Sequence, residues 1–139
     1  MAASLDDILT TQKNGVVAIN SIGTTSSGLF NYFRGTPLSS GAATVGSYST
    51  LYTVPTGFQV AIVDIEICNT AATPETFTIC LVPSGGSAGT SNALFYNAPI
   101  SGNTTVQWTG QQVLLGGGTV QAQASVTDIT FKMGGGPGQ

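Results

Sequence analysis

From Val45 to Met133 the sequence is cut into short β-branched and aromatic runs, separated by turn-forming clusters about every ten residues. No stretch in that span repeats its apolar residues at helical spacing. The runs "SYSTLYTV", "FQVAIVDIEICN", "ETFTICLVP", "ALFYNAPI", "TTVQWT", "TVQAQAS" and "TDITFKM" are predicted strands. The breakers are Pro55-Thr56-Gly57, Thr73-Pro74, Ser84-Gly85-Gly86, Gly102-Asn103 and Gly116-Gly117-Gly118. This rhythm predicts an all-β fold, an antiparallel β-sandwich of jelly-roll or immunoglobulin-like type, over residues 45–133.

Residues 1–44 read differently. Ser4 followed by Asp7 is a capping-box-like start, and Asp6 and Asp7 suit a helix N-terminus. Leu5, Ile8 and Leu9 then share a face, Lys13 falls in the last turn and Asn14-Gly15 supplies a stop, so a short helix is predicted over 5–13. A helix below ~12–15 residues does not hold alone in water, and its apolar face has to dock on something. Gly23 to Gly46 is rich in Gly, Ser and Thr, interrupted by the aromatic "LFNYFRG", and reads as an arm with one short strand. The closing "GGGPGQ", residues 134–139, has no apolar side chain to bury and reads as a flexible tail.

Both cysteines lie within "VAIVDIEICNTAATPETFTICLV". In "AIVDIEIC" the odd positions Ala61, Val63, Ile65 and Ile67 are apolar, which makes that face the buried one and leaves Asp64, Glu66 and Cys68 on the other. In "FTICLV" Phe77, Ile79 and Leu81 are the bulky set, with Cys80 opposite in parity. A hairpin across "NTAATPET" that pairs Cys68 with Cys80 keeps both apolar sets on one face. The pair then has three readings: reduced thiols without chemistry, a cross-strand disulfide, or a redox or metal site. Asp64 and Glu66 point the same way, as a carboxylate pair does, but catalytic carboxylates normally face each other from separate elements. A solvated face or a contact surface is the first expectation for them.

Charged residues make up 6% of the 139, so the surface has to be built from uncharged polar side chains, an unusual choice for a free monomer. Lys13, Arg34 and Lys132 are the only cations, too few for a stripe that neutralises several phosphates, and nucleic acid is not an expected partner. No apolar run approaches the ~18 residues of a spanning helix, and the N-terminus lacks the pattern of a secretory signal. No membrane partner is expected. The sequence contains no His, the usual general base and zinc ligand, and neither "GGGPGQ" nor "SGGSAG" has phosphate-loop spacing. The six acids form no calcium-loop run. The expectation is a non-enzymatic protein without metal or cofactor. Trp108, Tyr48, Tyr52 and Tyr96 are either core and strand-edge aromatics or, if exposed together, a surface for stacking sugars.

The phrase "SLDDILTTQKNGVVAINSI" resembles an opening segment of small tailed-phage structural proteins. The block Leu51 to Ser125 resembles a β-sandwich module of phage tail, fibre and capsid-surface proteins. In it "LYTVPTG" leads to a long strand ending "ICNT", then to "FTICLVPSGG", "NALFYNAP" and "GGTVQAQAS". The resemblance implies a virion structural protein, with an N-terminal attachment segment and a displayed sandwich, assembled in the bacterial host cytoplasm. A capsid decoration or cement protein bound to the major capsid protein is the first expectation. A tail or collar fibre or adaptor subunit, on a tail or portal-vertex protein, is the second, and a lectin-like module for host glycan the third. On this reading Leu5, Ile8, Leu9, Leu29, Phe30, Tyr32 and Phe33 make the attachment. Self-association, with a trimer as the first expected form, follows from the same analogy.

Overall fold

The structure of the protein, a computed structural model, describes residues 36–137. Among them are nine strands: β1 (Thr36–Ala42), β2 (Thr44–Val45), β3 (Ser49–Thr53), β4 (Gln59–Asn69), β5 (Glu75–Val82), β6 (Ala93–Ile100), β7 (Thr104–Leu115), β8 (Thr119–Ala124) and β9 (Ile129–Pro137). One 3-10 turn, Thr90–Asn92, precedes β6. The predicted helix over 5–13 and the aromatic group Leu29–Phe33 lie outside the described residues.

The strands form two packed sheets, so the all-β expectation holds. The first sheet has the order β1-β9-β4-β7. The second has the order β2-β8-β5-β6, with β3 also pairing β8. All pairings are antiparallel except the short one between β2 and β8. Between the sheets lies a core in which Ile62, Ile65, Ile67, Phe77, Ile79, Ile100, Val120, Ile129 and Phe131 are fully buried. Phe77 of the second sheet meets Phe131 of the first edge-on at 6.2 Å and lies 5.2 Å from Phe95 of its own sheet. Such ring pairs add ~0.5–1.5 kcal/mol to the burial itself.

Three boundaries differ from those read in the sequence. The strand β1 belongs to the first sheet, paired along β9, rather than to an attachment arm. At the other end "GGGP" is no tail. Gly134 and Gly135 continue β9 as a central strand between β1 and β4, Gly136 goes on pairing with β4, and all three are buried. A strand enclosed on both sides is held by its backbone bonds and needs no side chain to be part of the sheet. At Gly134 an added Cβ would meet the Asp64 carboxylate, which would have to swing aside to admit it. Finally, β7 runs on through "GQQVLL", well past the predicted "TTVQWT".

The parity of β4 changes in mid-strand. Its register shifts between Ile62 and Asp64: against β9 Val63 is an extra residue, while on the β7 side Gly110 and Gln111 together stand opposite it. Such a bulge moves the following residues to the opposite face. The buried set facing the core is Val60, Ile62, Ile65 and Ile67, not the unbroken odd series through Ala61 and Val63.

The expected hairpin between β4 and β5 does not form. The two strands lie in different sheets, joined by residues 70–74, which cross from one layer to the other. Five residues can extend to ~17 Å, enough for the ~10 Å between packed sheets. The buried Asn69, at the end of β4, holds this corner: its Nδ2 donates to Thr73 O (2.9 Å), Ser101 O (3.2 Å) and Ile100 O (3.4 Å), and its Oδ1 accepts from Ala71 N–H (3.0 Å).

Candidate interaction surfaces

Separation of β4 from β5 also separates the cysteines. Cys68 sits on the outer face of the first sheet and Cys80 on the outer face of the second, and both are free thiols. The proposed cross-strand pair is therefore corrected: the whole core lies between the two positions. Cys80 is buried although it points away from that core, because residues 83–92 fold over it and its thiol reaches Gly89 O at 3.5 Å. Among the described residues no three His, Cys, Asp or Glu side chains come together as a metal site. Trp108 packs against the core and is not displayed for stacking. Of the attachment residues read in the sequence, Leu5, Ile8, Leu9, Leu29, Phe30, Tyr32 and Phe33 all lie outside the described residues.

The outer face of the first sheet carries most of the charge among the described residues. Asp64 and Glu66 stand along β4, and Lys132 of β9 is in register with Glu66. Opposite charges facing each other across strands add ~0.2–1 kcal/mol. Beside them runs a shallow groove of about 500 Å³ lined by Glu66, Cys68, Thr105, Thr130 and Lys132.

The strand β7, at the edge of that sheet, is a different kind of surface. Over 12 residues it contains no charged residue and no proline. Edge strands of free monomers are normally blunted by Lys, Pro, bulges or shortness. The other edges here show those devices: β1 has Pro37 and a register shift beside it, β2 and β3 have 2 and 5 residues, and β6 has Pro99 and its own register shifts. β7 also has a register shift, at Gly110 and Gln111 opposite Val63, but over its 12 residues it carries neither charge nor proline. At its end Val113 and Leu115 are 45% and 65% exposed, and Phe58, one residue before the partner of Leu115, is 65% exposed. This apolar end was not legible, since "QVLL" reads as readily as core.

The outer face of the second sheet is polar and aromatic. Between Phe77 and Ile79 of β5 the partner strand advances from Ala98 to Phe95, so Tyr96 and Asn97 together face Thr78. Asn97 has a left-handed backbone (φ 45), and its N–H donates to Thr78 Oγ1 at 3.0 Å. An Asn inside the otherwise β-forming "LFYNAPI" was the available signal, because Asn is depleted in strands and tolerates that conformation. Tyr48 lies beside Cys80 and within electrostatic range of Tyr96. Burial raises its phenol above the ordinary 10.0, and the hydrogen bond to Cys80, then the Cys80 and Tyr96 charges, push the same way.

A phenol whose pKa is higher folded than unfolded stabilises the fold fully below the ordinary tyrosine value. That contribution is lost as pH rises through the folded value. Tyr48→Phe should therefore flatten the fall of stability above about pH 10, read by urea midpoints of both proteins between roughly pH 8 and 11. Parallel losses in the two proteins would disconnect Tyr48 from the effect.

Searches against protein-family models, curated proteins and solved structures found no match to this chain.

Proposed function

We propose that the two sheets form a jelly-roll β-sandwich and that the chain is a structural subunit of a bacteriophage virion, a decoration or cement protein of the capsid. The topology supports the first part. Orders of β1-β9-β4-β7 and β2/β3-β8-β5-β6, with chain crossings from sheet to sheet after β1, β3, β4, β6, β7 and β8, are those of two nested Greek keys. The second part is supported by the sequence resemblance and, above all, by the long edge strand β7 without charge or proline. Three edges are blunted, while 12 uncharged residues and the apolar end Phe58, Val113 and Leu115 are left to be covered.

In this reading the mechanism is assembly. Neighbouring copies cover β7, with backbone pairing giving register and apolar burial contributing ~25 cal/mol per Å². The segment ahead of β1, with Leu5, Ile8, Leu9, Leu29, Phe30, Tyr32 and Phe33, binds the major capsid protein. A surface with few charges suits a subunit surrounded by copies of itself.

The test is the abundance of the chain relative to the major capsid protein, by quantitative mass spectrometry of purified particles of the phage that encodes it. A ratio near one, or a simple fraction of it, is expected. A ratio of a few per cent would move the chain to the tail or collar, and absence from the particle would overturn the reading.

A further inference from the structure

The bulge at Asn97 borders a pocket of about 300 Å³ on the outer face of the second sheet, lined among others by Thr76, Thr78, Asn97, Gln123, Ser125 and Val45. Its polar groups are hydroxyls and carboxamides. Thr78, only 1% exposed, lies at its base with the hydroxyl committed to Asn97, accepting from the backbone N–H at 3.0 Å and donating to Oδ1 at 3.5 Å. That arrangement orients the Asn97 carboxamide and leaves its Nδ2 hydrogens available, as is the Gln123 carboxamide in register with Thr78. Immediately beside Asn97, Tyr96 is 54% exposed on the same face. A left-handed non-glycine residue within a strand costs free energy, and strain of this kind is found where it aims a side chain at a ligand.

We propose that this pocket binds a neutral saccharide. Its Asn97 and Gln123 carboxamides both donate and accept, as sugar hydroxyls require, and the exposed Tyr96 ring offers an apolar face for the C–H side of a pyranose. Two features argue the class. The bulge and Pro99 interrupt the β6 edge, which disfavours an added peptide strand. Moreover, an ionised carboxylate stands at the pocket wall: Glu75 Oε2 accepts from Ser125 Oγ at 2.7 Å, so an anionic sugar is repelled. The site needs neither β7 nor a virion, and its test is independent of the assembly reading.

The experiment is a titration of the full chain, followed by ¹H–¹⁵N spectra. The neutral probes are glucose, galactose, mannose, N-acetylglucosamine and their short linear oligomers, with glucuronic acid and sialic acid as anionic comparisons. At least one neutral sugar should give saturable shifts at Thr78, Tyr96, Asn97 and Gln123, with a Kd in the roughly millimolar range. Asn97→Gly keeps the left-handed backbone and removes the carboxamide, and Tyr96→Ala removes the ring; each should weaken that sugar about tenfold or more. Gln107→Ala, on the other sheet, should leave it unchanged. Absence of saturable shifts at this face with every neutral sugar, binding that Asn97→Gly leaves intact, or tighter binding of the anionic sugars would overturn the proposal.

Discussion

Asn69→Leu is expected to lower the stability of the fold by about 3 to 5 kcal/mol, the range for breaking a buried polar network. Asn69 is completely buried, and its one carboxamide serves both corners at this end of the molecule. It ties the β4–β5 crossing, through Thr73 O and Ala71 N–H, to the turn after β6, through Ile100 O and Ser101 O. The two corners also touch directly: Asn103 N–H donates to Ala71 O at 2.8 Å, and an added Cβ at Gly102 would collide with the Ala72 carbonyl. Leucine has nearly the right volume but leaves these groups without the partner that replaced water. Asn69→Asp should be as harmful, since a carboxylate would face carbonyl oxygens. Urea denaturation of the three proteins measures this directly. A midpoint for Asn69→Leu within error of the parent would show that the corners hold without the carboxamide.

Ending the chain at Met133 is expected to be comparably damaging, by about 3 kcal/mol or more. Residues 134–137 of β9 pair with Val60, Ala61, Ile62 and Asp64 of β4 on one side, and Gly134 and Gly135 pair with Pro37 and Thr36 of β1 on the other. Their removal deletes roughly four or more backbone hydrogen bonds at ~0.5–1.5 kcal/mol each and strips the cover from that end of the first sheet. A solvated tail predicts the opposite, an unchanged thermal midpoint. The comparison therefore separates a strand built of glycines from a tail built of glycines.

That pair of outcomes also marks where the sequence could be read and where it could not. β5, β6 and β8 were legible nearly to the residue, because alternation of apolar side chains and punctuation by Gly, Pro and Asn are local signals. β9 beyond Met133 was not, since its place is fixed by backbone bonds to strands some 70 and 100 residues earlier, and no side chain records them. The Val63 bulge was hidden for a related reason. "AIVDIEIC" alternates almost without fault, and an inserted valine looks like one more strand residue. The hairpin expected at residues 70–74 failed because a five-residue connection serves a turn or a crossing equally well, and Asn69, which selects the crossing, looks in sequence like an ordinary turn residue. With the hairpin went the cysteine pair. The pocket at Asn97 needed the register of β5 against β6, although the asparagine itself was in view.

The pairing of the first described strand with the last has a consequence in time. During synthesis β1 waits through β2 to β8 for the partner that lies beside it, and until β9 emerges the first sheet is divided into β1 alone and the β4–β7 pair. Few of its contacts are local, which places this chain among slow-folding topologies, with open strand edges exposed for as long as the last segment is missing. A cell making it in quantity would have reason to keep the unfinished chain apart from its siblings until residue 137 has been added.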